Sequence, residues 1–188
     1  MSNNINFNIF SPKPNEKICL VVYGNLASGK SSFSKEIKKL LPNYSYVCLD
    51  EIRIKNMDKF PNKSVYERES ISKEECKNEI LNSQLVIYES TGTSQLFNQL
   101  KNRIRAHFKT YFIFISCPDY ECRKRFENRK YNGYFSVKPP VKKSMSIYEC
   151  CSANQYVYWD MKKDLELNTF THSLEEIVCQ FKSHFNYS

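Results

Sequence analysis

The chain has 188 residues, 41% hydrophobic and 26% charged, with a formal net charge of +8. That length suits one domain (1–188) able to bury a core without disulfides or metals, and no apolar run is long enough to span a membrane. The first residues, MSNNINFNIFSPKPNEK, lack the basic and apolar regions of a secretory signal, so a cytoplasmic protein is expected, with 1–16 as a loose arm.

The first apolar run of strand length is ICLVVY at 18–23, followed at once by Gly24. Only four glycines occur in the whole chain, and two of them, Gly24 and Gly29, stand five apart just here. Gly24-Asn25-Leu26-Ala27-Ser28-Gly29-Lys30-Ser31 fits G-x-x-x-x-G-K-[ST], between a strand and a helix predicted over 30–41. Glycines at those positions let the backbone turn tightly and aim successive N–H groups inward, an anion-binding nest at a helix N-terminus. In such a loop Lys30 reaches the outer phosphates and the Ser31 hydroxyl holds Mg²⁺; Ser32 follows in the same turn.

A second strand over 45–49 runs into YVCLDEIR, with Asp50 at its carboxyl tip and Arg53 three residues on. Ligands of open α/β sheets gather beyond those tips. A carboxylate there can take a proton from an attacking hydroxyl, and an arginine can grip an anionic group. The plainer alternative is a helix N-cap at Asp50 and a solvated Arg53. Helix is expected over 66–82, strand over 84–88, helix over 94–107, strand over 110–116, then helix over 118–130 and 144–162. A last strand at 165–169 and a helix at 173–185 close the chain. Near-continuous apolar strands alternating with helices give an α/β fold, a five-stranded parallel sheet with helices on both faces.

Cys19, Cys48, Cys117 and Cys179 lie within or beside apolar runs, no C-x-x-C pair occurs, and His107, His172 and His184 lack metal-ligand spacing. Buried free thiols are expected, with Cys150-Cys151 as helical packing.

In order and spacing these segments resemble the P-loop kinases of the polynucleotide 5′-hydroxyl kinase and zeta-toxin type. The likeness covers 17–185: the phosphate loop, D-x-x-R after the second strand, LVIYESTG at the end of the third, CPDYECRKRFENRK after the fourth, and LNTFTHSLEEIV. It implies a P-loop NTPase fold with a small helical lid (118–143), ATP and Mg²⁺ as cofactors, and transfer of the γ-phosphate to a hydroxyl. It further implies Asp50 as general base and Arg53, Glu89 and Thr91 on the acceptor side, with Glu89 orienting Arg53 or serving Mg²⁺ through water, as Asp50 also would. Lys30, Arg125 and Arg129 then act on the transferring phosphoryl, the two arginines clamping ATP, and Thr169 lies in the loop flanking the adenine. Two departures stand out: Glu89 replaces the aspartate usual there, and no proline or extra glycine lies inside the phosphate loop.

Residues 101–145 carry twelve Lys or Arg against Asp119, Glu121 and Glu127, a local +9 that leaves −1 for the rest. With the aromatics of RKYNGYFSVKPPVKK interleaved, this suits a nucleic acid, and equally a solvated basic lid. Gly133 and Pro139-Pro140 break helix at 131–143, where a closing lid is expected. The expected activity is an ATP- and Mg²⁺-dependent kinase for the 5′-hydroxyl of RNA or DNA. The alternatives are a small-molecule kinase, a nucleoside-monophosphate kinase, and a nucleotide-binding switch without catalysis.

Overall fold

A computed structural model describes residues 9–128, 152, 154, 158 and 161–186. In chain order the elements are β1 (Ile18–Gly24), α1 (Lys30–Leu40), β2 (Ser45–Cys48), α2 (Leu49–Lys59), α3 (Val65–Asn82) and β3 (Leu85–Ser90). They continue with α4 (Gln95–His107), β4 (Lys109–Ser116), α5 (Asp119–Glu127), β5 (Leu165–Asn168) and α6 (Leu174–His184). The five strands are parallel in the order β2-β3-β1-β4-β5. Thus β1 is central, and the chain leaves it through α1 for the far edge, then returns through β3. The reversal of strand order at β1 leaves a crevice beyond its carboxyl end, where the glycine loop begins.

All seven residues of β1 are buried. Strand alternation splits them between two cores. Cys19, Val21 and Tyr23 join Cys76 and Ile80 of α3 and Leu96, Phe97, Leu100 and Ile104 of α4 on one face. Ile18, Leu20 and Val22 join Phe33 and Ile37 of α1 and Ile177 and Phe181 of α6 on the other. This two-sided burial is why the strands read as unbroken apolar runs.

Several expectations are corrected. The second strand stops at Cys48, and Asp50 lies in the first turn of α2, a helix the sequence pattern did not disclose. Its buried residues are only Ile52 and Asn56, so no apolar stripe announces it. Polar contacts to α3 tie it down: Asn56 Nδ2 donates to Ser72 Oγ (3.1 Å) and Glu75 Oε2 (2.9 Å). Within the expected arm, Ile9 and Phe10 are anchored: Ile9 is fully buried and accepts a hydrogen bond from the Tyr44 hydroxyl (2.8 Å), while Phe10 meets Phe181 edge-on. Cys179 is exposed on α6, whereas Cys19, Cys48, Cys76, Cys117 and Cys122 are buried thiols outside any disulfide. Arg129, the 131–143 segment, Cys150-Cys151 and most of 144–162 lie outside the described residues. Among the described residues no helix is long and apolar enough to cross a membrane.

Candidate active site

The loop after β1 is built by backbone. A Cβ on Gly24 would stand 2.3 Å from the Ile115 carbonyl oxygen, so β4 passes too close for any side chain. Gly29, at φ 100°, takes the left-handed conformation, as does Ala27 at φ 57°. Ser28 N–H donates to the Asn25 carbonyl (3.2 Å), tightening the turn.

Helix α1 then starts at Gly29 with no side-chain cap and no acid in its first turn. Helices α3 and α6 do the opposite: Ser64–Glu67 and Ser173–Glu176 close full capping boxes. The N-terminus of α1 therefore keeps its unpaired N–H groups and partial positive charge available to an anion. Lys30, buried, donates from Nζ to the Asn25 carbonyl (2.7 Å) across the loop. Burial lowers its pKa, opposed by the charges of Glu89 and Asp50. The buried Ser28 hydroxyl has no hydrogen-bond partner.

Glu89, near the end of β3, is 7% exposed and accepts from Ser31 Oγ (2.6 Å) and the Tyr46 hydroxyl (2.5 Å). Burial and the nearby Glu89 charge raise the Tyr46 pKa, so the phenol stays a donor. The extra methylene relative to aspartate is thus used to reach across from β3 to α1. Thr91 follows, its carbonyl held by the Tyr158 hydroxyl (2.7 Å) and its side chain meeting Thr93 (3.2 Å). Ser32 points outward, exposed, on α1.

Opposite the loop, Arg53 is gripped in a way the sequence did not disclose. Its Nε and Nη2 donate to the two oxygens of Glu69 on α3 (2.8 and 2.5 Å), and Nη1 donates to Asp50 Oδ1 (2.7 Å). Glu69 thus holds Arg53 from α3, a partner not expected from the sequence, while Glu89 meets Ser31 and Tyr46. The Arg53 and Glu69 side chains are 22% and 14% exposed, while Asp50 keeps 51% of its side chain in solvent, open to an incoming hydroxyl. A 240 Å³ cleft joins the two sides, lined by Lys30, Lys35 and Arg53 against Asp50, Glu51 and Glu89, with the apolar Leu49, Ile54 and Phe126.

Behind the loop, Arg125 of α5 donates Nε to Glu121 (2.9 Å), Nη1 to Thr169 Oγ1 (3.1 Å) and Nη2 to the Thr169 carbonyl (2.9 Å). Thr169 Oγ1 in turn donates to the Ser28 carbonyl (2.6 Å), and its methyl lies where a Cβ on Gly29 would meet it at 3.2 Å. Arg125 and Thr169 therefore brace the loop from outside the cleft. Alongside them the Cys117 thiol is drawn down to about 7, first by the Cys122 hydrogen bond and, against its burial, by the Arg125 charge.

The basic quarter does not form one patch among the described residues. Lys109 pairs with Glu16 at the amino edge of the sheet, Arg123 and Arg125 pair with Asp119 and Glu121 on α5, and Lys101, Arg103 and Arg105 lie on α4.

No protein-family model matches the chain, and no curated protein matches it. Solved structures do. A shikimate kinase from Aquifex aeolicus aligns over 89% of this chain and 96% of its own, at 19% identity and TM-score 0.56. The Mycobacterium tuberculosis APS kinase CysC, in complex with AMPPNP and APS, aligns over 92% and 99%, at 14% identity and TM-score 0.56. The Pnkp1/Rnl/Hen1 RNA repair complex contributes a chain matched over 81% of this one and 48% of its own, at 19% identity and TM-score 0.57. The fold is that of the P-loop kinases. In this P-loop kinase fold the uncapped loop, Glu89 and the Asp50–Arg53–Glu69 chain all face the crevice beyond the sheet's carboxyl edge.

Proposed function

We propose that the protein is an ATP-dependent kinase that transfers the γ-phosphoryl group to a hydroxyl, with the 5′-hydroxyl of a polynucleotide as its acceptor. The observation that carries this reading is a half-exposed carboxylate, Asp50, held at 2.7 Å by a braced arginine across one cleft from an uncapped phosphate loop. The loop fits a triphosphate: its glycines admit no side chains, α1 offers free N–H groups, and Lys30 and the unpartnered Ser28 hydroxyl are already buried there. Ser31, with Glu89 acting through water, suits Mg²⁺, a hard cation that takes few protein oxygens and keeps its waters and phosphate ligands. The ion supplies charge neutralisation on the phosphates when bound.

The work of this chain's own residues follows from the geometry. Asp50 accepts the acceptor's proton as the hydroxyl oxygen attacks, and Arg53 fixes the carboxylate's direction. Lys30 and the α1 N–H groups meet charge developing on the phosphoryl oxygens, where positioning and electrostatics supply most of the catalysis. Leu49, Ile54 and Phe126 limit water at the reacting centre.

Charge in the cleft favours a neutral reacting group. Three cations face three carboxylates there, and Arg53 is committed to Asp50 and Glu69. A nucleoside monophosphate would bring its phosphate to a site with little net positive charge, whereas a 5′-hydroxyl brings none. Among the matched structures, one is of an RNA repair complex, in keeping with that acceptor.

The test uses γ-labelled ATP, Mg²⁺, 5′-hydroxyl RNA and DNA oligonucleotides, and a pool of nucleosides, nucleotides and small polyols. Label on an oligonucleotide 5′ end, reduced about 10²–10⁴-fold by Asp50→Asn with ATP affinity kept, is the expected outcome. Label on a small molecule alone would replace the acceptor and keep the chemistry. ATP binding without transfer to anything would identify a nucleotide-binding switch.

A further inference from the structure

A second cavity of 210 Å³ lies between α4 and the chain around Met161, on the face of the sheet that carries Tyr23 and Phe112. Lys101, Arg105 and Lys162 line it, and among the described residues no carboxylate does. The Arg105 guanidinium lies 5.0 Å and the Lys162 ammonium 6.0 Å from the centre of one ring, that of Phe112. Both cations thus border the same aromatic side chain at the cavity wall. Lys162 is paired with Asp164 (2.9 Å), whose other oxygen accepts from the Phe112 N–H (2.7 Å), so Lys101 and Arg105 carry the cavity's uncompensated charge. Among the described residues no carboxylate pairs with Lys101 or Arg105.

Two segments of chain run from the catalytic cleft to the cavity. At the end of β3, Thr91 lines the cleft and the next residue, Gly92, lines the cavity. Gly92 holds φ 76°, and a Cβ there would meet Tyr23 and Met161 at 3.1 and 3.2 Å, so this corner is built around a bare backbone. Helix α4 does the same: Ser94, its N-cap, lines the cleft, while Lys101 and Arg105 line the cavity. At 1.5 Å per residue, Arg105 lies about 16 Å along the helix from Ser94. A helix and a strand end thus lead from the acceptor side of the cleft to a cationic cavity on the flank of the sheet.

Resting on the kinase reading above, we propose that this cavity receives backbone phosphates of a single-stranded polynucleotide acceptor whose 5′-hydroxyl lies at Asp50. The division of labour follows from charge. The reacting end of the strand is neutral and enters a balanced cleft, while the phosphates that follow meet Lys101, Arg105 and Lys162. A mononucleotide is too short to use the cavity; a longer strand gains affinity from it.

The experiment compares wild type with a Lys101→Gln/Arg105→Gln variant after circular dichroism establishes an unchanged fold. Acceptors are a nucleoside 3′-monophosphate and 5′-hydroxyl RNA and DNA strands of about a dozen nucleotides. The variant's KM for the strands should rise about tenfold, its salt dependence should weaken by roughly one to two released ions, and KM for ATP and the mononucleotide should hold. Equal KM values for strands in both proteins would overturn the proposal, as would an equal rise for strand and mononucleotide. If wild-type protein transfers phosphate to no strand, the polynucleotide reading is lost. Fluorescence anisotropy with a labelled strand then judges the cavity alone: about tenfold weaker binding by the variant supports it, and equal binding or none overturns it.

Discussion

The two sides of the cleft are made of different material. The phosphate side is backbone: eight consecutive residues, Gly24 to Ser31, shape a loop over an uncapped helix, and Lys30, Arg125 and Thr169 hold it in place. The acceptor side is side chain: Asp50 and Arg53 come from α2 and Glu69 from α3, joined by ion pairs between helices that share few apolar contacts. A backbone cradle suits a group common to every turnover, since any sequence supplies N–H groups and only sterics must be respected. An acceptor site must distinguish one hydroxyl from others, and that requires particular side chains in particular directions.

The contrast can be broken by substitution, and the largest effect is expected at Lys30. Lys30→Ala removes the side chain that closes the loop onto the Asn25 carbonyl and that the proposed mechanism sets against the phosphoryl, so kcat should fall about 10²–10³-fold. A smaller loss would mean that the backbone alone suffices. Next is Gly24→Ala, which forces a methyl against the Ile115 carbonyl at 2.3 Å. It should cost about 1–3 kcal/mol of stability, read as a lowered Tm in a thermal melt, together with weaker ATP binding. An unchanged Tm would show that β1 and β4 can part at no cost. The smallest effect is expected at Glu69. Glu69→Gln keeps the shape but not the charge opposite Arg53, and should lower kcat about tenfold, equivalent to about 1.4 kcal/mol, while KM for ATP stays put. Partial recovery in Glu69→Asp would distinguish positioning of Asp50 from bulk stability; an equal loss in KM for ATP would merge the two sides that the geometry separates.

The phosphate side was legible because its signal is local. A glycine-poor chain that places two glycines five apart, between an apolar strand and Lys-Ser, leaves little choice of conformation. The five strands were legible for a related reason: burial on both faces removes polar residues from the runs. Helix α2 was not, because Ile52 and Asn56 alone are buried and its attachment to α3 is polar. Asp50 and Arg53 could be picked out as types at a strand's end, yet their brace could not. Glu69 is one of several acids along α3, and nothing in its neighbourhood sets it apart from Glu74 or Glu75. The charge of 101–145 is shared among α4, β4 and α5 as far as the described residues go, so its sum along the chain did not by itself mark a surface.

By itself, then, the sequence determined the parallel sheet, the loop at the end of β1 and the residue types offered to a phosphate, because hydrophobic period and glycine placement act over a few neighbouring residues. Only the tertiary structure decided that Glu69 holds Arg53, that Glu89 reaches Ser31 and Tyr46, and that Lys101, Arg105 and Lys162 converge beside Gly92. Those pairings join residues distant along the chain, and their partners are chosen by how α2, α3 and α4 pack on the sheet, which no local pattern encodes.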